Sequence, residues 1–440
     1  MLVLSRARRL LTQSITLRTF GVVILLAGTA KMAGLLKEIV VAARFGTGAA
    51  LDAYLFLFNI LSTPASMWFS TISAILIPHL ITLERRSPRE AAHFRAEFMM
   101  FAIVVGIVVG LLSWLGLYGY VTTGASGLSA EAVGYARDAL PQLWFMVPLL
   151  FVAQYGSSCL MARNLHVNSL YEGLPALTIL VALLLFPVSI RVLVLSTVAG
   201  FALQLAATLV SLGRSGNLGR PAASLQSAAW RQFRSAFLVM AGVQFLQSAT
   251  NVVDQVVAAQ LPTGSLSRFS YTLRAQGVLL TLLALAVPRV LLPALASMSD
   301  AAPQELKRFV ARWTLLLGTV GGGAALAVSS LSEPIVHLLF QRGSFSAADT
   351  EAVATLLGVM IWQLPFYLLA MLYSQRQIVA RDYSSLAIMG VGTLVIKLAL
   401  GLPLVWWFGL VGLTASIPFV SAFQVAILVL LGRRKEADPR

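Results

Sequence analysis

The sequence predicts an all-α polytopic membrane protein of about twelve transmembrane helices in two six-helix lobes, and three observations carry that prediction. Of the 440 residues, 58% are apolar and only 11% charged, with a mean hydropathy of +0.85. The apolar residues gather into long runs, and the basic residues crowd into alternate connections between those runs. A water-soluble domain carries about 25% charged residues, so a soluble enzyme, a disordered chain and a coiled coil are excluded. The net charge of +15 would suggest nucleic acid in a soluble protein. Here membrane topology accounts for it, and no nucleic-acid partner is expected. Cys159 alone permits no internal disulfide, and His79, His93, His166 and His337 are too scattered to compose a metal cluster.

A spanning helix needs about 20 apolar residues. The first run, near 19–43, follows Arg6, Arg8 and Arg9 in the charge order of a signal peptide. It continues well beyond the length of a signal-peptide core without a clear small-residue cleavage site, which marks an uncleaved first helix. Runs bounded by charged or turn residues follow near 53–80, 97–120, 138–161, 172–188 and 192–213. A second set lies near 235–260, 270–296, 311–332, 351–374, 385–404 and 409–432. The polar stretch between the sets divides the chain into an N-terminal lobe (1–213), a cytoplasmic linker (214–234) and a C-terminal lobe (235–440).

The N-terminus, the even-numbered connections and the C-terminal tail hold 22 Lys and Arg, including Arg6, Arg18, Arg95, Arg163, Arg381 and Arg440; the odd-numbered connections hold five. The positive-inside rule then places both termini in the cytoplasm, which requires an even number of spans.

A shift of about 216 residues lays Lys37–Gly48 on Val253–Gly264 with six identities in twelve positions and Glu38 opposite Asp254. With small drift it also pairs Pro78 with Pro293, Phe94 with Phe309, Pro148 with Pro365, and Ala162-Arg163 with Ala380-Arg381. Duplication is the better reading. Two six-span halves insert the same way up, so a pseudo-twofold along the membrane normal relates them. Transporters built this way place their substrate between halves and rock one against the other.

Away from the span ends five cations (Lys31, Lys37, Arg274, Arg289 and Lys397) stand against two anions (Glu38 and Asp254), a net of +3. Each such charge costs about 2.5 to 3.5 kcal/mol at mid-bilayer, so they must face a partner or a wet cavity. A positive cavity favours an anion, and clustered Lys and Arg suit a phosphate or diphosphate. Lys31 and Glu38 share one helix face, although a plain Lys37/Glu38 polar contact with neighbouring helices reads the same residues. Arg274 allows a snorkelling alternative, and Arg289 and Lys397 receive no role. Asp52 reads as a helix cap or a supporting acid. Asp254 reads as a partner for a cation or as an ion-coupling group. The second span, rich in Ser and Thr around Pro64, reads as a gate helix lining a cavity or as ordinary small-residue packing. No glycine-rich phosphate loop, Walker sequence or hydrolase-type acid/base pair is present, so neither an enzyme nor a cofactor is expected.

The chain resembles the MurJ (MviN) lipid II flippases of the multidrug/oligosaccharidyl-lipid/polysaccharide (MOP) superfamily. The likeness rests on Ala30-Lys31-x-x-Gly34-x-x-Lys37-Glu38, Ala43-Arg44-Phe45-Gly46-Thr47-Gly48 with Asp52-Ala53, and Arg274 nineteen residues before Pro293. Leu339-Phe340-Gln341-Arg342-Gly343-Ser344-Phe345 with Asp349-Thr350 completes it. Lysines stand where the family has first-helix arginines, and Ala65-Ser66 and Phe69–Ala74 replace its helix-two arginine pair and E-G-A-F-S-Q-A stretch. The family's last two helices have no counterpart after the twelfth span. The resemblance implies alternating-access flipping of a polyprenyl-diphosphate-linked glycan, either lipid II or a related envelope or exopolysaccharide intermediate, across a bacterial cytoplasmic (inner) membrane. On the combined reading Lys31, Lys37 and Arg274 are expected to bind the diphosphate, Glu38, Asp52 and Asp254 to give support or ion coupling, and Pro64 to belong to a gate helix. Membrane lipids and a glycan polymerase or glycosyltransferase are the expected partners. A cation-coupled multidrug-type antiporter and a non-transporting scaffold for glycan synthesis remain open alternatives.

Overall fold

The computed structural model describes residues 28–163, 165, 167–216, 219–227, 229–298, 303–380 and 382–437. The expected cations Arg6, Arg8, Arg9, Arg18, Arg381 and Arg440, residues 19–27 of the first span and the side chain of Arg289 lie outside the described set. Every regular element among the described residues is helical. Helix α1 covers 28–45. It is followed by α2 (Ala49–Arg86), α3 (Pro88–Thr122), α4 (Ala130–Leu143), α5 (Met146–Ala162), α6 (Asn168–Tyr171), α7 (Leu174–Leu185) and α8 (Ile190–Arg214). Then come α9 (Ala229–Ala259), α10 (Ser265–Ser297), α11 (Pro303–Ser330), α12 (Ser332–Phe340), α13 (Ala347–Met360), α14 (Gln363–Val379) and α15 (Tyr383–Ala437).

Eight helices among the described residues are long and apolar enough to cross a membrane, or nine if the bent α4–α5 pair is one span. Helix α15, at 55 residues, is two arms: Gly409 takes φ 56° and ψ −133°, which breaks the helix between the sequence-predicted spans 385–404 and 409–432. The arms fold back antiparallel, since Lys397 meets Ser416 and Gln424 meets Thr393.

The chain forms two compact units. Unit 1 comprises 1–44, 57–123 and 134–241, and unit 2 comprises 45–56, 124–133 and 242–440. In unit 1, α3 and α8 both pack on α5, and α7 packs on α8. An aromatic core joins them: Trp68 stacks on Phe151 with ring centroids 4.8 Å apart and donates Nε1 to the Phe151 carbonyl at 3.0 Å. Phe98 stacks on Tyr155 and Trp230. In unit 2, α10 and α11 pack on α14 through Leu291, Leu295, Val310, Leu317, Leu368 and Leu372.

The duplication is visible in how each unit is packed. In unit 1, α4 ends at Leu143 and α5 starts at Met146; in unit 2, α13 ends at Met360 and α14 starts at Gln363, the same break at the equivalent place of the second half. At each break a glycine of a neighbouring helix lies against the same proline of the repeat. A Cβ on Gly106 of α3 would stand 3.0 Å from Pro148 Cα and 2.9 Å from Phe151 Cβ, and one on Gly321 of α11 would stand 2.7 Å from Pro365 Cα. Lipid tails are as apolar as leucine, so helices in a bilayer associate by close van der Waals contact, which small residues permit. These two seams are that contact.

The stretch between α8 and α9 is held to unit 1 by a carboxylate. Glu97 of α3, fully buried, accepts from Ser224 Oγ at 2.5 Å, Gln226 N at 2.8 Å and Trp230 Nε1 at 2.8 Å. Nearby, Arg95 pairs with Glu84, which also takes Arg163 Nη2 at 3.1 Å. Arg95 is therefore not the connecting-loop cation of the topology count. Helix α3 begins at Pro88, where Ser87 accepts the Glu90 N–H, and Arg95 lies two turns inside it and buried.

The seams set a local test. Gly321→Ala would force apart two helix backbones, costing about 1 to 3 kcal/mol, and is expected to lower the thermal unfolding midpoint in detergent. Gly322→Ala meets nothing within 4 Å and gains helix propensity of up to about 1 kcal/mol, so its midpoint should hold or rise. Equal midpoints for the two variants would remove the close approach.

Candidate functional site

The family-likeness residues of the 46–52 and 339–350 segments knit together within unit 2, around the start of α10. Asp52, in the first turn of α2, accepts from Gly264 N at 2.6 Å through one oxygen and from Ser267 N at 2.7 Å through the other. The N-terminus of a helix exposes unpaired N–H groups and partial positive charge. Asp52 thus caps a helix 212 residues away in sequence rather than its own, and that helix carries Arg274. Thr47 Oγ1 donates to Asp349 at 2.5 Å, and Arg268 reaches the same oxygen at 3.3 Å. Asp349 also closes a capping box with Ser346 at the head of α13. Tyr271 Oη donates to the Gly46 carbonyl at 3.2 Å. Gly46 takes φ +59°, and a Cβ added there would fall on the Ser344 carbonyl, so a side chain would meet both backbone strain and a clash. The two copies of the repeated turn meet here: a Cβ on Gly264 would lie 3.5 Å from Thr47 Oγ1.

Also in unit 2, Asp254 of α9 forms an ion pair with Lys397 of α15, Nζ to Oδ1 2.6 Å. Lys397 donates to Ser416 Oγ on the second arm at 2.8 Å as well. The lysine is 3% exposed and the aspartate 9%. Sequence reasoning left Lys397 without a role and offered Asp254 a cation partner or a coupling ion; the partner is Lys397. Arg274 lies half-buried on α10, two residues before Gln276, which donates to the Met360 carbonyl at 3.2 Å.

In unit 1, α1 carries Lys31, Lys37 and Glu38. Lys37 and Glu38 form an ion pair, with Glu38 buried and Lys37 half-buried. Lys31 is exposed and within electrostatic reach of Glu172, in the turn before α7. That turn packs on α1: a Cβ on Gly173 would stand 2.8 Å from Ala30 Cα. Helix α2 runs unbroken through Pro64 and Pro78. Near Pro64 its hydroxyls are self-satisfied, since Ser62 and Thr63 both donate to the Asn59 carbonyl, at 3.1 and 2.8 Å, and Ser66 donates to the Ser62 carbonyl at 3.1 Å, whereas Ser73 meets Ser158 of α5 at 3.2 Å.

The acidic candidates thus fall in two sets: Glu38 in unit 1, and Asp52 and Asp254 in unit 2. Among the described residues no three His, Cys, Asp or Glu side chains group closely enough to hold a metal ion. Sequence reasoning missed Glu97 and the Glu84–Arg95–Arg163 cluster. The only available signal was the Ser87-Pro88-x-Glu90 helix start, which puts Arg95 and Glu97 inside a helix.

Residues 41–438 match the family model described as "Lipid II flippase MurJ". A "Probable lipid II flippase MurJ" of Vibrio cholerae is 25% identical over 425 residues, covering 90% of this chain and 79% of that protein. One of Thermotoga maritima is 26% identical over 74% of this chain and 66% of its own length. Among solved structures, an inward closed conformation of lipid II flippase MurJ superposes with a TM-score of 0.80 at 18% identity, covering 94% of this chain and 87% of that one. An inward-facing multidrug resistance MATE family transporter of the MOP superfamily gives 0.72 at 12% identity, covering 92% and 94%. At these identities the structural likeness speaks to fold alone.

The Asp52 cap yields a second test. In Asp52→Asn one oxygen becomes an NH2 that faces a backbone N–H, so one of the two bonds is lost and two donors oppose each other. Asp52→Ala loses both. Each is expected to cost about 1 to 2 kcal/mol, read as a lower unfolding midpoint with Asn no better than halfway to wild type. A wild-type midpoint for Asp52→Ala would exclude the cap.

Proposed function

The chain belongs to the lipid II flippase MurJ family, and from that premise we propose that it moves a polyprenyl-diphosphate-linked glycan from the cytoplasmic to the outer leaflet by alternating access. The substrate is lipid II or a related envelope intermediate, and the membrane is the bacterial cytoplasmic membrane with both termini inside. One observation carries this reading over a multidrug-type antiporter: the two acids that lie away from the ends of the expected spans are already paired with lysines, Glu38 with Lys37 and Asp254 with Lys397. A cationic drug would find each carboxylate occupied, whereas an anionic head group meets an interior with cations in excess.

In this mechanism Lys31, Lys37 and Arg274 bind the diphosphate, and Glu38 positions Lys37. Asp52 supports Arg274 by fixing the start of α10. The prenyl tail stays in lipid, and α2, with Pro64, serves as the gate helix. No step makes or breaks a covalent bond, so no cofactor is needed. A glycan polymerase or glycosyltransferase would take up or supply the lipid-linked glycan.

Charge is the first test. Lys31→Ala should abolish flipping of labelled lipid-linked glycan in proteoliposomes, because a diphosphate leaving water needs its counter-charge, and Lys31→Arg should retain it. Lys37→Ala also removes the cation paired with Glu38, so it is compared with Lys37→Ala/Glu38→Gln, which should stay inactive while regaining stability. Full activity in a normally inserted Lys31→Ala/Lys37→Ala protein would refute the assignment.

Driving force is the second. An inside-negative potential favours outward transfer of negative charge by about 2.3 kcal/mol per charge per 100 mV, hence roughly 4 to 5 kcal/mol for a diphosphate crossing the full potential. Cations that travel with the head group cancel that gain on the loaded step and return it on the empty one. With the potential clamped by a potassium gradient, flipping should accelerate as the inside becomes more negative; rates indifferent to potential would overturn the mechanism.

A further inference from the structure

The ion pair within unit 2 has a shape that bears on how the cycle is energised. Asp254 is a lone acid on a membrane-spanning helix, and groups of that kind mark ion pathways by default. The ammonium that answers it also meets a hydroxyl oxygen, and a carboxylate with a hydroxyl is hard-oxygen chemistry of the kind a small alkali cation takes. Ser416 Oγ donates its own proton to the Leu413 carbonyl at 2.6 Å, so it faces Lys397 as an acceptor. One turn before Lys397, Thr393 Oγ1 donates to the Met389 carbonyl at 2.7 Å and accepts from Gln424 Nε2 at 3.2 Å. The Lys397 ammonium sits within hydrogen-bond distance of both the Asp254 carboxylate and the Ser416 hydroxyl. Gly401, one turn on, lies along the lysine stem, where a Cβ would be 3.7 Å from Cδ.

The repeat says that this lysine is particular to the second half. Glu38, the counterpart of Asp254, is neutralised by its chain neighbour Lys37, whereas the neighbour of Asp254 is Val253. Carried back by the offset of the repeat, with its small drift, Lys397 falls on Ile179, Leu180 and Val181, all apolar. Each half neutralises its acid with a lysine drawn from a different place.

We propose that Lys397 is a built-in counter-ion: its ammonium occupies the position beside Asp254 that a dissociable alkali cation would otherwise fill. Asp254 therefore exchanges no sodium during the cycle, and removing the ammonium uncovers a cation site. A tethered cation cannot leave on either side of the membrane, so the acid cannot draw on a sodium or potassium gradient. Removing one partner of a buried pair leaves an uncompensated charge, and a small cation is the mobile species that restores neutrality.

The experiment uses the full chain in detergent at constant ionic strength, in choline, lithium, sodium or potassium chloride. Lys397→Met keeps an apolar stem and lacks the terminal ammonium. The wild type should show the same unfolding midpoint in all four salts and bind no radiolabelled sodium. Lys397→Met should unfold earlier in choline, recover by about 5 °C in sodium or lithium, and bind about one sodium per chain. Asp254→Asn/Lys397→Met should be salt-indifferent. Stoichiometric sodium binding by the wild type that Asp254→Asn abolishes would overturn the proposal, as would Lys397→Met that binds no alkali cation. If Lys397→Met is recovered only when sodium is present during purification, that is the expected result in stronger form. The wild-type binding measurement needs no variant to fold in order to refute. The transport arm rests on the flippase reading: at fixed potential, wild-type flipping should ignore a sodium gradient. Absent flipping with the salt pattern intact would refute that reading and leave the counter-ion standing.

Discussion

Four buried acids, Glu38, Asp52, Glu97 and Asp254, are each answered inside their own unit, and much of the helix arrangement follows from that requirement. A carboxylate or ammonium in hydrocarbon is tolerated only with a partner, and a partner fixes which helix must lie alongside. Asp254 with Lys397 ties α9 to the first arm of α15, and Ser416 brings in the second. Asp52 ties the start of α2 to α10. Glu97 draws the connecting stretch and the start of α9 onto α3. Lipid-facing surfaces contribute no comparable direction, because apolar side chains gain little by leaving lipid for one another.

The two halves separate packing from charge. The helix breaks at 143–146 and 360–363, and the glycine–proline seams beside them, are the same device used twice. The neutralisation of Glu38 and Asp254 is not: one lysine is a chain neighbour, and the other comes from a helix far along the chain. A fold can thus be copied whole while the electrostatics of each copy diverge, and function lies in the part that diverged.

Hydropathy made the spans legible because insertion into lipid depends on one summed quantity along about 20 residues. It was blind to the breaks at Trp144-Phe145 and Ile361-Trp362, where the chain turns without becoming polar. The positive-inside count assumed that basic residues near span ends are solvated. Arg95 shows the limit of that assumption, since Glu84 allows it to be buried. The family motifs were readable as a pattern, but not as a contact map. Nothing local connects Thr47 to Asp349 or Asp52 to Ser267, and a first-turn aspartate looks like a cap for its own helix. The pairing of Asp254 was open for the same reason: each partner is an isolated charge in an apolar run until the chain is folded.

The stretch of α2 around Pro64 differs from these charged contacts in a way that matters for motion. The hydroxyls of Ser62, Thr63 and Ser66 are closed onto carbonyls of the same helix, so they depend on no neighbouring element. Turning or sliding this segment against its surroundings breaks none of those bonds and strips none of those hydroxyls of its partner. At this turn the barrier to such a displacement is set by the shapes of side chains passing one another, a matter of friction, whereas bond rupture enters only further along, where Trp68 holds the Phe151 carbonyl and Ser73 meets Ser158.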